Sequence, residues 1–117
     1  MHLLVAVIDD PGKMEPILDQ FYESGIGGAT VLDSMGMGHL IADHYSIFSR
    51  FADLTGSQQG STNSKVMFTV VRTEEILELA IEIIKGVVGD LSQPDTGLLF
   101  TVPVGRVEGL DTPLRDD

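Results

Sequence analysis

The chain has 117 residues, the size of one domain, and 43% of them are hydrophobic, which is enough for a core. It carries 18 acidic and 7 basic residues, and the resulting net charge of −11 disfavours nucleic acids and anionic membrane surfaces as partners. Without cysteine, the chain has no disulfide, thiolate metal site or cysteine nucleophile. The apolar start, "MHLLVAVIDD", is too short for a signal peptide or a membrane span. We therefore expect a single cytoplasmic domain over residues 1–117, with no direct membrane insertion.

The first half of the chain predicts a strand, a helix and a second strand. The run "HLLVAVI" (2–8) is apolar throughout, as in a strand covered on both faces. A helix follows, because apolar residues recur at i, i+3, i+4 and i+7, and Gly25 ends it: Met14, Ile17, Leu18 and Phe21. "ATVLDSM" (29–35) predicts the second strand.

The second half predicts a long loop, a strand, a helix and a last strand. Residues 36–65 show no clean pattern, whereas "VMFTVV" (66–71) predicts a strand. Thr73 is a good N-cap for a helix whose expected inward residues are Ile76, Leu77, Ala80, Ile81, Ile84 and Val88. "GLLFTVPV" (97–104) predicts a fourth strand, and Pro103 favours its end or an edge. Residues 111–117 are expected to be a short tail.

The order of elements, βαββαβ, predicts a ferredoxin-like α+β fold with both helices on one face of an antiparallel sheet. The first and fourth strands are apolar on both of their sides. We therefore expect the other sheet face to be buried in an oligomer.

Two motifs then point to a family. "GGATVLDSMGMGH" (27–39) runs from a strand into Gly-Met-Gly before a long loop, and "GVVGD…GLLFTVPVGRV" (86–107) joins the second helix to the last strand. With the element order, these motifs resemble the PII-type signal-transduction proteins, known as nitrogen regulatory protein P-II, over roughly residues 3 to 110. The resemblance implies nitrogen regulation by a homotrimer, nucleotide sites in the three clefts between subunits, and a loop (37–65) that docks on a membrane transporter or a metabolic enzyme.

The resemblance also implies ligand-binding residues around the glycines: Gly36, Gly38, Gly86, Gly89, Asp90 and Gly97. An alternative is that Gly86, Gly89 and Gly97 only cap a helix, turn the chain and start a strand, and that Gly36 and Gly38 only bend the chain between strand and loop. The ligand is left open, with an adenine nucleotide as the candidate.

Several positions depart from the family pattern and argue against classical binding of ATP and 2-oxoglutarate. The family's charged or polar residues at these positions are replaced by His39, Leu40, Val87, Leu98, Gly109 and Asp111. Residues 91–96 are an insertion whose role the sequence leaves open. A phosphate without cationic partners is costly to bury, so a less charged ligand such as a mononucleotide, or no ligand, fits better.

The loop contains a helical stripe in "IADHYSIFSRFADL" (41–54). One interpretation is a recognition helix that presents Tyr45, Phe48 and Phe51 to a partner, and the other is a helix folded onto its own trimer. His39, Asp43 and His44 are near one another and could ligate a metal ion, although solvated polar residues give the same pattern. We predict no metal site.

No catalytic set of residues is recognisable, so we do not expect an enzyme. The first hypothesis is a regulatory protein that senses a small molecule in inter-subunit clefts and controls a partner through the long loop. The alternatives are a ligand-free trimeric interaction protein and a metal-responsive trimer similar to the CutA copper-tolerance proteins.

Overall fold

The computed structural model describes residues 1–37 and 63–110. Several sequence predictions lie outside these residues: Gly38, His39, Leu40, Asp43, His44, Tyr45, Phe48, Phe51, Asp111 and the tail 111–117.

The described elements follow the predicted order. They are β1 (His2–Ile8), a 3₁₀ turn (Pro11–Lys13), α1 (Met14–Glu23), β2 (Thr30–Met35), β3 (Asn63–Val71), α2 (Glu74–Val88) and β4 (Gly97–Pro103). β3 begins three residues before its predicted start, so residues 63–65, which the sequence assigned to the loop, belong to the strand. Thr73 is the N-cap of α2, because its hydroxyl accepts a hydrogen bond from the Ile76 N–H at 3.2 Å.

The four strands form one antiparallel sheet in the order β2-β3-β1-β4. Ile8, at the end of β1, pairs with Lys65 of β3 and with Gly97 of β4, whereas His2 at its start pairs with Val71 and Pro103. β4 is an edge strand that ends at Pro103, as predicted. This topology confirms the ferredoxin-like α+β fold.

The core lies between the two helices and one face of the sheet. Every second residue of β1 points into it, and Leu4, Ala6 and Ile8 are at most 1% exposed. The buried helix residues repeat at helical spacing and complete the core: Met14, Ile17 and Phe21 from α1, and Leu77, Ala80, Ile83, Ile84 and Val88 from α2. Burial of this face therefore holds both helices on the same side of the sheet.

The prediction for Ile76 was wrong, because this side chain is exposed, whereas Ile83 is buried and was not predicted. The two residues are seven positions apart and so project from the same side of the helix. They differ in what lies beside them. Ile83 packs into the core, whereas Ile76, in the first turn of α2, borders an open cavity.

The second face of the sheet is largely apolar, apart from Thr30, Ser34 and Ser64 near β2, and is not covered by the described residues. It carries Leu3, Val5, Val7, Leu32, Val66, Phe68, Val70, Leu98, Phe100 and Val102, as the register of the strands requires. Leu32, Leu98 and Phe100 are 52%, 53% and 46% exposed. We call these ten residues the open face. A contiguous apolar surface of this kind marks an interaction site.

A matched pair of substitutions in α2 tests which of its isoleucines contribute to the core. Ile84→Ala should lower the free energy of unfolding by about 2–5 kcal/mol, because Ile84 is fully buried. Ile76→Ala should lower it by about 1 kcal/mol or less, because its side chain is already exposed. Urea denaturation at one protein concentration measures both, and equal losses would contradict the described packing of α2.

Candidate functional site

A cavity of about 540 Å³ lies at the end of the sheet where β3 ends and β2 begins. Its walls come from the segment between α1 and β2, the end of β3, the first turn of α2 and the segment after β4: Gly25, Ile26, Gly27, Gly28, Thr69, Val70, Val71, Arg72, Ile76, Gly109 and Leu110. Sites for small molecules in proteins have volumes in this range. We call this end of the sheet the cavity end.

The glycine-rich wall of the cavity is fixed to β3 by Thr69. The Thr69 hydroxyl, which is buried, donates a hydrogen bond to the Gly28 carbonyl oxygen. At the start of the same segment, the Gly25 and Ile26 N–H groups donate to the Tyr22 and Phe21 carbonyls at the end of α1. Because Gly27 and Gly28 have no side chains, their backbone borders the cavity directly.

The polar and charged character of the cavity comes from few groups. Among the described residues that line it, Arg72 is the only one with a cationic side chain, and Ile26, Val71, Ile76 and Leu110 provide an apolar surface. Close to the cavity, the His2 Nε2 atom lies 2.8 Å from the Glu74 Oε2 atom. The described lining therefore combines an apolar surface with the glycine backbone and one cationic side chain.

The predicted ligand residues that the structure describes lie at the opposite end of the sheet. Gly36 follows β2, Gly89 ends α2, and Gly97 begins β4 beside Ile8. Asp33 of β2 pairs with Lys65 of β3, so the end of β2 also lies at this end, where the Lys65 Nζ atom is 2.6 Å from the Asp33 Oδ1 atom. We call it the glycine end. Of these predicted residues, the described ones do not line the cavity of about 540 Å³.

Two of the predicted glycines have a structural reason to be glycine. Gly89 ends α2 with a φ of +90°. Gly97 has a φ of +139°, and a Cβ atom there would lie 2.1 Å from the Val7 carbonyl oxygen. Gly86, inside α2, has neither constraint, since a Cβ atom would meet no atom within 4 Å. The turn interpretation therefore accounts for Gly89 and Gly97, but not for Gly86.

Asp90 is engaged by the insertion 91–96. Its Oδ1 atom accepts hydrogen bonds from the Ser92 hydroxyl at 2.7 Å and from the Ser92 N–H at 2.9 Å. These bonds, the hydroxyl first, hold the pKa of Asp90 below its ordinary value of 3.8. The insertion is further closed by the Thr96 hydroxyl, which donates to the Gln93 carbonyl, and by the Asp9 N–H, which donates to the Thr96 carbonyl.

The cavity lining was not predicted from the sequence, although two signals for it were present. "GIGG" (25–28) contains three glycines in four residues just before β2, and Arg72 is a cation directly after an apolar strand. Neither signal is specific by itself. Only the antiparallel sheet, which places the start of β2 beside the end of β3, brings them together.

The described residues contain neither a candidate metal site nor a candidate membrane-spanning helix. Within residues 1–37 and 63–110, no group of three or more His, Asp or Glu side chains is placed to hold a metal ion. In the same part of the chain, no helix combines the length and apolarity needed to cross a bilayer.

The family model for nitrogen regulatory protein P-II matches residues 1–112. The chain therefore belongs to this family of regulatory, PII-like signal-transduction proteins, whose members typically form trimers and bind partner proteins. No curated protein matches the chain.

Alanine substitutions at Gly97 and Gly86 test which of these two positions requires glycine for its backbone conformation. Gly97→Ala should cost about 1–3 kcal/mol of stability from its backbone conformation, with a further cost from the contact with Val7. Gly86→Ala should raise stability by about 0.4–1 kcal/mol, because alanine fits the helix and restricts the unfolded chain. Thermal and urea unfolding of both variants measures this difference. A Gly97→Ala variant as stable as the wild type would contradict the described β1–β4 pairing.

The lowered pKa of Asp90 gives a prediction for acidic pH. Because the folded-state pKa is below the unfolded one, its contribution to stability is present above the unfolded pKa and is lost as the pH falls through the folded pKa. Ser92→Ala removes the hydroxyl donor, so the Asp90 pKa should rise towards 3.8. A carbon-detected NMR titration of the Asp90 carboxyl group measures the shift. Ser24→Ala is the control, and an unchanged Asp90 pKa in Ser92→Ala would refute the assignment.

Proposed function

We propose that this PII-like regulatory protein senses a small molecule in clefts between subunits of a homotrimer. The observation that carries the proposal is the placement of the two candidate half-sites. The cavity of about 540 Å³ lies at one end of the sheet, and the predicted ligand residues Gly36, Gly86, Gly89, Asp90 and Gly97 lie at the other. One chain cannot bring both ends to one ligand, whereas the cavity end of one subunit can face the glycine end of the next.

The open face supports the assembly that this arrangement needs. Its central row is Phe68, Val5 and Phe100, which are directly paired across β3, β1 and β4. Transferring such apolar surface out of water stabilises an interface by roughly 25 cal/mol per Å². Packing the open faces of three chains against one another would bury this surface and leave the helices on the outside.

The connection between β2 and β3 supports the control of a partner. β2 ends at Met35 and β3 begins at Asn63, so the segment between them leaves and returns at the glycine end. A ligand bound beside Gly36 therefore touches the base of the segment predicted to dock on a partner. A ligand that prefers one conformation of the segment shifts the population towards it, which is the proposed mechanism of control. The partner class, a membrane transporter or a metabolic enzyme, and a cytoplasmic location belong to the same proposal.

The test compares binding by the wild type with binding by a variant whose open face carries a charge. The wild type should have three times the 12.6 kDa mass of one chain and should bind at least one of ATP, ADP, AMP, cyclic AMP and cyclic di-AMP, with or without Mg²⁺. Phe100→Glu should be monomeric, because it buries a charge in the interface, and should lose binding. Light scattering and isothermal titration calorimetry measure mass and binding.

The control is Tyr22→Glu, which places the same charge on α1 at a side chain that is 75% exposed. This variant should assemble and bind as the wild type does. A monomeric wild type would contradict the trimer, and undiminished binding by a monomeric Phe100→Glu would contradict a site between subunits. A trimer that binds none of the panel would favour a ligand-free interaction protein.

A further inference from the structure

The sulfur atoms of this chain all belong to five methionines, because the chain contains no cysteine. These methionines differ greatly in their exposure to solvent. Met14 and Met67 lie in the core and are 4% and 0% exposed, whereas Met1, Met35 and Met37 are 39%, 44% and 74% exposed. Because methionine oxidation follows exposure, a dissolved oxidant reaches the second group and not the first.

Two of the exposed methionines flank Gly36 at the glycine end. Met35 is the last residue of β2 and pairs with Asn63 at the start of β3, and Met37 comes two residues later. We call Met35 and Met37 the methionine pair. Two accessible thioethers therefore lie on either side of a predicted ligand residue.

Met35 lies on the side of the sheet that the proposed assembly leaves uncovered. Side chains alternate along β2, and Val31 packs against the core on the side of the helices. By the same alternation Asp33 and Met35 point to the side of the helices, whereas Leu32 points to the open face. Packing of the open faces against one another would therefore not bury Met35.

Peroxide oxidises a methionine thioether to a sulfoxide in one balanced step. The sulfur lone pair attacks one peroxide oxygen, and an S–O bond forms as the O–O bond breaks. The proton of the transferred oxygen passes to the departing hydroxide, which leaves as water, so the sulfur loses two electrons and the peroxide gains them. The apolar side chain becomes polar, and a thiol-dependent methionine sulfoxide reductase reverses the change.

We propose that the methionine pair is a reversible oxidation site through which peroxide weakens ligand binding at the glycine end. This inference rests on the proposed function, because it adds regulation to the site that contains Gly36. A sulfoxide oxygen beside Gly36 holds water by hydrogen bonding, and a ligand must displace that water in order to bind there. The burial of Met14 and Met67 confines oxidation to the surface, so the core is retained.

Peptide mass spectrometry of the assembled wild type after treatment with hydrogen peroxide tests the oxidation site. Met35 and Met37 should be oxidised at least about tenfold faster than Met14 and Met67, because oxidation follows exposure. Reductases for both sulfoxide epimers, supplied with dithiothreitol, should restore the unmodified mass. Equal rates at Met37 and Met14, or a modification that the reductases do not reverse, would overturn the proposed site.

Isothermal titration calorimetry tests the effect on binding, with ATP, ADP, AMP, cyclic AMP and cyclic di-AMP as probes. The tightest-binding probe should bind oxidised wild type at least about fivefold more weakly than untreated wild type, and the reductases should restore its affinity. The matched control is the double variant Met35→Leu and Met37→Leu, which keeps Met1 as an exposed methionine. Peroxide should leave its affinity unchanged, because leucine is of similar size and is not oxidised. Weaker binding by the treated control would assign the effect to another residue and overturn the inference.

The outcomes separate this inference from the proposed function. If the wild type binds a nucleotide and the oxidised wild type binds it equally well, the regulatory role is wrong and ligand sensing stands. If the wild-type trimer binds none of the probes, ligand sensing and its regulation by peroxide both fail, while mass spectrometry still decides whether the oxidation site exists. Circular dichroism and the mass in solution of the oxidised protein must match those of the untreated protein, so that weaker binding does not reflect unfolding or dissociation.

Discussion

The rest of the structure depends on β1, a central strand that is apolar on both of its faces. Leu4, Ala6 and Ile8 point to the helices, whereas Leu3, Val5 and Val7 point to the open face. The first set forms the centre of the core and fixes α1 and α2 to one side of the sheet. The second set is not covered by the described residues, and its burial against other chains belongs to the proposed assembly.

The same strand also separates the two candidate half-sites. β1 pairs with β3 and β4 along its whole length, so it spans the distance between the cavity end and the glycine end. The segments before β2, after β3 and after β4 border the cavity at the first end, whereas Gly36 after β2 and Gly89 after α2 lie at the second. In a single chain these groups are kept apart by the sheet. An assembly through the open face would be the means by which they contribute to a common cleft.

The insertion 91–96 lengthens the connection between α2 and β4 without disturbing the sheet. The insertion is closed on itself by hydrogen bonds to Asp90, Gln93 and Thr96, and the Asp9 N–H attaches it to the end of β1. Gly97 then restarts the sheet in a conformation that a side chain would not permit. Asp90 thus has a local structural role in this connection.

The sequence by itself determined the order of elements, the N-cap at Thr73, the edge position of Pro103 and the apolar character of both faces of β1. These features depend on local periodicity and on the chemistry of single residues, so they can be recognised without a structure. The family could be recognised for a related reason, because the glycine motifs at 27–39 and 86–107 keep their order along the chain.

Only the tertiary structure decided that Ile76 is exposed beside the cavity and which residues form that cavity. Ile76 and Ile83 have the same helical phase, yet Ile83 packs into the core and Ile76 is exposed beside the cavity. Likewise, Arg72 and Gly28 are far apart in sequence, and they border one cavity because β2 and β3 pair in antiparallel register. Periodicity indicates which side of a helix or strand is apolar. It does not indicate which elements lie beside that side, because strand pairing and packing decide this.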